Sequence, residues 1–160
     1  MYLYMCMYIL HTFIPYICYV CQVVCLSDRN VTETRMPIDS LLAIGAVHQH
    51  LIAQKLRTLT GLMIESGSAH QVHHYALLFG MGADAVCPYM CYYALFKARD
   101  QGKLGMNYSN TELTQSVKNA FDYGVRKVMA KIGISTLQSY HGAQIFEALG
   151  VHQVADAPVM

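Results

Sequence analysis

The stretch Gly61-Leu62-Met63-Ile64-Glu65-Ser66-Gly67-Ser68-Ala69-His70-Gln71-Val72-His73-His74 reads as a short apolar strand, a polar turn and the start of an apolar-faced helix. A second turn and strand follow at once in Gly80-Met81-Gly82-Ala83-Asp84-Ala85-Val86-Cys87, closed by Pro88. Strand, helix and strand within about 30 residues have the length of a βαβ unit with parallel strands. The fold class that follows is α/β, with this unit at the centre.

Around it lie 160 residues, enough for one domain with a sizeable core of its own. Charged residues make up 13% and apolar residues 54%, roughly half the charged share of an ordinary soluble domain. That balance argues against disorder and points to a surface made to be covered by something else. With Lys+Arg 11 against Asp+Glu 10 the chain is nearly neutral. No basic patch recommends nucleic acid as a partner, because binding phosphates takes clustered cations.

The charge deficit has a location. Residues 1–27 contain no Asp, Glu, Lys or Arg, which puts a boundary near Leu26. Three readings compete for Met1 to Leu26. The length suffices for a membrane helix, but Pro15 sits in the middle and no cation flanks the N-terminal end. A secretory signal lacks its cationic start and small-residue cleavage site. The reading that fits best is a stretch not native to the domain behind it, such as a truncated or mis-assigned start. Val20 to Leu26 could still enter the fold as a buried strand.

Beyond it, Ser27-Asp28-Arg29-Asn30 is a polar turn, with an ion pair the expected use of Asp28 and Arg29. Pro37 suits the first turn of a helix, and Leu41, Leu42, Ile44, Val47, Leu51 and Ile52 carry helical spacing to about Leu56. Tyr89 to Asp100 reads as another helix, stopped in the glycines of Gln101-Gly102-Lys103-Leu104-Gly105. Asn110 is the expected N-cap of a long helix through about Lys131. Leu113, Val117, Phe121, Val125 and Met129 form its buried stripe, while Lys118, Arg126, Lys127 and Lys131 make a solvated face. Gly133 to Leu137 breaks it, and Gly142 to Leu149 reads as a last short helix before Gly150.

Several residue sets invite chemistry, and spacing weakens each. Cys18 and Cys21 have CxxC spacing, with Cys87 and Cys91 as a conceivable second pair, but Cys6, Cys18, Cys21 and Cys25 have apolar or aromatic neighbours and read as small buried hydrophobes. His48 and His50 would point about 200° apart on a helix, and the adjacent His73 and His74 also diverge. His70 and His74, four apart, could converge, yet Gln71 stands where a zinc helix carries Glu, and no third ligand is evident. Gly80-Met81-Gly82 lacks the third glycine of a dinucleotide turn.

The residue strings go further. Leu26-Ser27-Asp28-Arg29, the run from Met36-Pro37-Ile38 to His48-Gln49-His50-Leu51-Ile52, and Leu56-Arg57-Thr58 resemble the central region of glutamate synthase. So do Met63-Ile64-Glu65-Ser66-Gly67 and the run from Val72-His73-His74 to Cys87-Pro88-Tyr89. The string from Lys127-Val128-Met129 to Glu147-Ala148-Leu149-Gly150 resembles the junction into that enzyme's flavin domain. The resemblance implies an incomplete TIM-barrel-like central domain of parallel βα units. It divides the chain into an apolar segment at 1–25, the C-terminal part of the central domain at 26–105, the start of the FMN-domain region at 106–150 and an unmatched tail at 151–160.

In that family an amidotransferase domain releases ammonia from glutamine, and a flavin barrel condenses it with 2-oxoglutarate. Reduced FMN delivers hydride to the imine, and an iron–sulfur cluster brings electrons from ferredoxin or a nicotinamide cofactor. The chain carries neither the amidotransferase nucleophile nor the cluster cysteines of the family. The expectation is therefore a fragment with no catalytic, cofactor-binding or metal residue, whose partners are the parent's amidotransferase and flavin domains, in cytoplasm or plastid. The rival expectation is a non-enzymatic α/β module anchored by a genuine transmembrane segment at 1–26.

Overall fold

The computed structural model describes residues 23–104, 108–147 and 149. Three strands, β1 (Val23–Ser27), β2 (Gly61–Glu65) and β3 (Ala85–Cys87), form one parallel sheet in the order β1–β2–β3. Val23 pairs with Gly61 and Ser27 with Glu65, while Met63 pairs with Ala85 and Glu65 with Cys87. Parallel neighbours need long crossovers, supplied here by α1 (Ser40–Ala53) between β1 and β2 and by α2 (Val72–Gly80) between β2 and β3. Helices α3 (Tyr89–Asp100), α4 (Asn110–Ile132) and the single turn α5 (Leu137–Tyr140) follow. Among the described residues the sheet is open, a set of parallel βα units that does not close into a barrel.

Period-two alternation decides which sheet face is covered. Leu62 and Ile64 are buried, and Val24, Leu26 and Val86 pack against the same core. Ile44, Val47 and Leu51 of α1, Tyr75 and Leu78 of α2 and Val125 and Met129 of α4 complete it, with Tyr140 fully buried. Residues on both sides of 105–107 thus share one core. The opposite face carries Cys25 and Met63 in register, both exposed.

Local chemistry sets the helix ends. Asp39 caps α1, its Oδ1 accepting from the N–H groups of Leu41 and Leu42. At α4 a capping box forms: Ser109 Oγ accepts from the Glu112 N–H, and the Glu112 carboxylate accepts from the Ser109 N–H. Those bonds from Ser109 hold the Glu112 carboxyl below its ordinary pKa. The helix ends at Gly133, whose φ of 87° is the left-handed conformation that favours glycine. Lys118, Arg126, Lys127 and Lys131 are exposed along it.

Four expectations need correction. The N-cap of α4 is Ser109, because it, and not Asn110, stands three residues before Glu112. Residues 142–147 and 149 form no helix; the last helical turn is Leu137–Tyr140, and Gly142 takes a φ of 65°. Helix α1 stops at Ala53, with a 3₁₀ turn at Arg57–Leu59 leading into β2. The strand expected over Val20 to Leu26 is seen from Val23 as a half-exposed edge, since only one of its faces meets helices. Residues 1–22, with Cys6, Cys18, Cys21 and most of the proposed membrane segment, lie outside the described residues. Among those described, no helix is long and apolar enough to cross a membrane.

The α2–α4 crossing depends on a missing methyl. A Cβ at Gly124 would lie 2.5 Å from both γ-carbons of Val72, and a β-branched side chain in a helix has little freedom to turn away. Gly124→Ala gains about 1 kcal/mol of helix propensity against an overpacking cost of about 1–3 kcal/mol, which two simultaneous clashes put at the upper end. Net destabilisation of about 1 kcal/mol or more is expected, read as a lower urea midpoint at unchanged slope.

Candidate functional site

In open parallel sheets ligands bind beyond the carboxyl ends of the strands. At that edge the three strands deliver Ser27-Asp28-Arg29, Glu65-Ser66-Gly67-Ser68 and Cys87-Pro88-Tyr89, and α1 adds Ser40. Asp28 Oδ2 accepts from the Gly67 N–H at 2.8 Å and from Ser66 Oγ at 3.3 Å. Ser66 is fully buried, its Oγ 2.6 Å from Ser40 Oγ and 2.9 Å from Ser68 Oγ. The ion pair expected within the turn is not formed: Glu65, and not Asp28, takes Arg29 Nε at 2.7 Å on one oxygen, and it accepts from the Ser27 hydroxyl at 2.7 Å on the other. The Arg29 guanidinium lies 4.4 Å from the centre of the Tyr89 ring.

The electrostatics fit a structural use. A hydrogen bond with Asp28, aided by burial and by the Asp28 charge, raises the pKa of the Tyr89 hydroxyl. Burial first, and then Glu65, pushes the Cys87 thiol up, which keeps it protonated and a poor nucleophile. Burial alone does the same to Cys91. The neighbouring cleft, lined by Asp39, Ser40, Leu41, Ser68, Ala69, His74, Leu77 and Leu78, measures about 200 Å³, below the roughly 300–1,000 Å³ of small-molecule sites. The polar groups of this edge bind one another and tie the β1 and β2 loops together.

A second polar cluster joins the opposite edge, where β2 and β3 begin. Arg57 Nη1 donates to the Thr60 carbonyl at 2.7 Å, Nη2 to the Gly82 carbonyl at 2.8 Å and to Asp84 Oδ2 at 2.9 Å, and Nε to His48 Nδ1 at 3.0 Å. The same Asp84 oxygen accepts from the Leu62 N–H at 2.7 Å. His141 Nδ1 stands 3.5 Å from Asp84 Oδ1. Gly82, with a φ of 109°, packs against the His48 ring so closely that any Cβ would overlap it. Burial, more than the nearby Arg57, lowers the His48 pKa, and burial also lowers that of His141.

The residues singled out by spacing scatter. His48 and His50 both lie on α1, His48 buried against Arg57. His70 precedes α2 instead of sharing a helix face with His74; its N–H donates to His74 Nδ1 at 3.2 Å. The two do not converge as ligands; a His74 ring nitrogen bonds to backbone in a local turn contact. His73 meets the edge of Phe146. Cys87 ends β3 and Cys91 lies on α3, both as free thiols, and Cys25 is free on β1. Among the described residues no three His, Cys, Asp or Glu groups come together as metal ligands would. Gly80-Met81-Gly82 follows the C-terminal end of a helix, where the dipole repels phosphate. The Arg57, Asp84 and His141 cluster had no local signal, because its members come from separate connections.

The class defined by this arrangement is an open, parallel βα assembly whose edge polar groups hold loops together. Residues 12–152 match the family model described as "Glutamate synthase central domain". The chain is 49% identical to the glutamate synthase [NADH] of Schizosaccharomyces pombe over 81% of its own length and 6% of that protein's. It is 48% identical to the glutamate synthase [NADPH] large chain of Bacillus subtilis over 79% of its length and 8% of that chain's. It is 38% identical to the ferredoxin-dependent glutamate synthase of Antithamnion sp., over 82% and 9% respectively. The chain belongs to the glutamate synthase central domain family, and it spans under a tenth of the length of these curated relatives.

Two substitutions weigh the clusters. Asp28→Ala strands the Gly67 N–H and is expected to cost about 1–3 kcal/mol. Arg57→Lys keeps the charge but cannot reproduce a fork that serves four acceptors, and a loss of about 2 kcal/mol or more is expected. Urea unfolding followed by circular dichroism checks both.

Proposed function

We propose that this chain is the scaffold portion of a glutamate synthase, set between the amidotransferase site and the flavin site, and that it does no chemistry alone. The parent reaction on this reading is reductive transfer of the glutamine amide nitrogen to 2-oxoglutarate, giving glutamate. FMN and an iron–sulfur cluster belong to the parent's other domains, as do the electron donor and the amidotransferase nucleophile. Residues 26–105 are read as the C-terminal part of the central domain and 106–150 as the approach to the flavin domain, in a cytoplasmic or plastid enzyme. The observation that carries the proposal is how the carboxyl-edge groups are used. Glu65, Ser66 and Arg29, and Asp28 through its Oδ2, are spent on neighbouring protein groups, where a catalytic site would hold several groups aimed at a substrate; Asp28 Oδ1 alone is buried there without a hydrogen-bond partner.

Two local observations support placing the parent's cofactors in its other domains. Gly82 is filled by the His48 ring instead of cradling a phosphate, and the described cysteines form no ligand set. No step is assigned through either group. The low charge of the chain fits surfaces that other domains would cover.

Purified chain, incubated with FMN and passed through gel filtration, is expected to elute without flavin absorbance. It is also expected to form no glutamate from glutamine and 2-oxoglutarate with a chemical reductant. Co-elution of stoichiometric flavin, or glutamate above the protein-free control, overturns the scaffold reading.

A further inference from the structure

Residues Leu137–Phe146 run back across the C-terminal end of α2, held by few contacts. Tyr140 Oη donates to the Ala76 carbonyl at 2.8 Å, and the Gly142 N–H donates to the Gly80 carbonyl at 2.8 Å. The Phe146 ring lies over Gly80 and edge-on to Tyr140. His141 stacks near Phe79 and faces Asp84. After Tyr140 the segment has no regular secondary structure. Its hold on the body rests on those two hydrogen bonds, on Phe146 packed against the core and on the His48, Arg57, Asp84 and His141 cluster at the amino edge of the sheet.

We propose that His48, Arg57, Asp84 and His141 form an acid-released latch, which keeps residues 141–147 against α2 near neutral pH and frees them as the two imidazoles take up protons. The Arg57 Nε–H needs the lone pair on His48 Nδ1, 3.0 Å away. Protonation replaces that lone pair with a second N–H and sets two cations face to face. The other ring nitrogen, His48 Nε2, lies beside Gly142, where an added Cβ would stand 3.0 Å from it. The segment thus shields from water the ring that becomes charged.

His141 reinforces the effect. Its Nε2 is buried without a hydrogen-bond partner. A proton there gains attraction to Asp84 Oδ1, 3.5 Å from Nδ1, but leaves a buried donor unpaired. The charged and titratable groups facing the two rings are Arg57 and Asp84, and the rings also face each other. With both imidazoles neutral, Arg57 and Asp84 balance; with both protonated, the cluster carries an excess of two positive charges.

The sign follows from burial. Both pKa values fall below the ordinary 6.5 in the closed form, chiefly through desolvation, so the open form binds more protons. Closure is complete above about pH 6.5 and is lost as pH falls below it. The segment yields before α1 does, because His48 sits in a regular helix flanked by fully packed Val47 and Leu51, while residues 141–147 have no regular secondary structure and are anchored by a half-buried Phe146. The latch is independent of the scaffold reading, since it concerns contacts within this chain.

Hydrogen–deuterium exchange of the full chain at pH 7.5 and 5.5, corrected for intrinsic rates, tests it. The hydrogen-bonded amides of the segment, His141, Gly142 and Ala143, are expected to lose at least tenfold in protection at pH 5.5, while those of β2 and α2 hold theirs. Asn at position 48 retains an acceptor toward Arg57 Nε and cannot be protonated. The double variant His48→Asn, His141→Asn is therefore expected to keep tenfold of that protection at pH 5.5. Equal protection at the two pH values, or a loss shared by β2 and α2, overturns the latch, and so does an undiminished loss in the variant. Should the variant fail to fold, the wild-type comparison between segment and sheet decides alone.

Discussion

Parallel pairing is the constraint on which the structure turns. Three parallel strands cannot be joined by tight turns, so each step along the sheet costs a helix and two loops. β2 lies between β1 and β3, bonded on both edges, and its Leu62 and Ile64 supply the floor on which α1 and α2 rest. The loops then have to be held at both ends of the sheet. Asp28 and Ser66 do this at the carboxyl edge, and Arg57 and Asp84 at the amino edge. The same arrangement that makes the sheet possible absorbs the polar residues that would otherwise suggest catalysis.

Arg57 illustrates how this differs from a surface ion pair. An exposed pair contributes little, because solvent screens it and two long side chains must be ordered. Arg57 instead distributes its N–H groups over Thr60, Gly82, Asp84 and His48, which come from the turn before β2, the loop before β3 and the middle of α1. One planar group, stiff enough to serve diverging acceptors, fastens three connections at once.

Legibility followed the range of the interactions. The βαβ unit at 61–87 was readable because strand alternation, helical spacing and Pro88 are local signals. The family could be named from ordered residue strings, and the match over 12–152 bears that out. Where sequence reasoning failed, the deciding contact was distant or one residue was mistaken for its neighbour. Ser109 took the cap from Asn110 because Glu112 bonds back to it. The segment at 142–147 did not become a helix because Gly142 and Phe146 are drawn onto Gly80, some 60 residues earlier. The two edge clusters could not be found by spacing, since each joins side chains that only the crossovers bring together.

The uncovered side of the sheet bears on how such a chain behaves in a tube. Parallel sheets are ordinarily buried on both sides, yet Val23 is 54% and Met63 37% exposed, and among the described residues no strand pairs with the outer edge of β1. An apolar, flat, hydrogen-bond-hungry border of this kind is a template for intermolecular strand addition. A charged side chain at Val23 or Cys25 would blunt such a border, as edge strands of natural sheets commonly do.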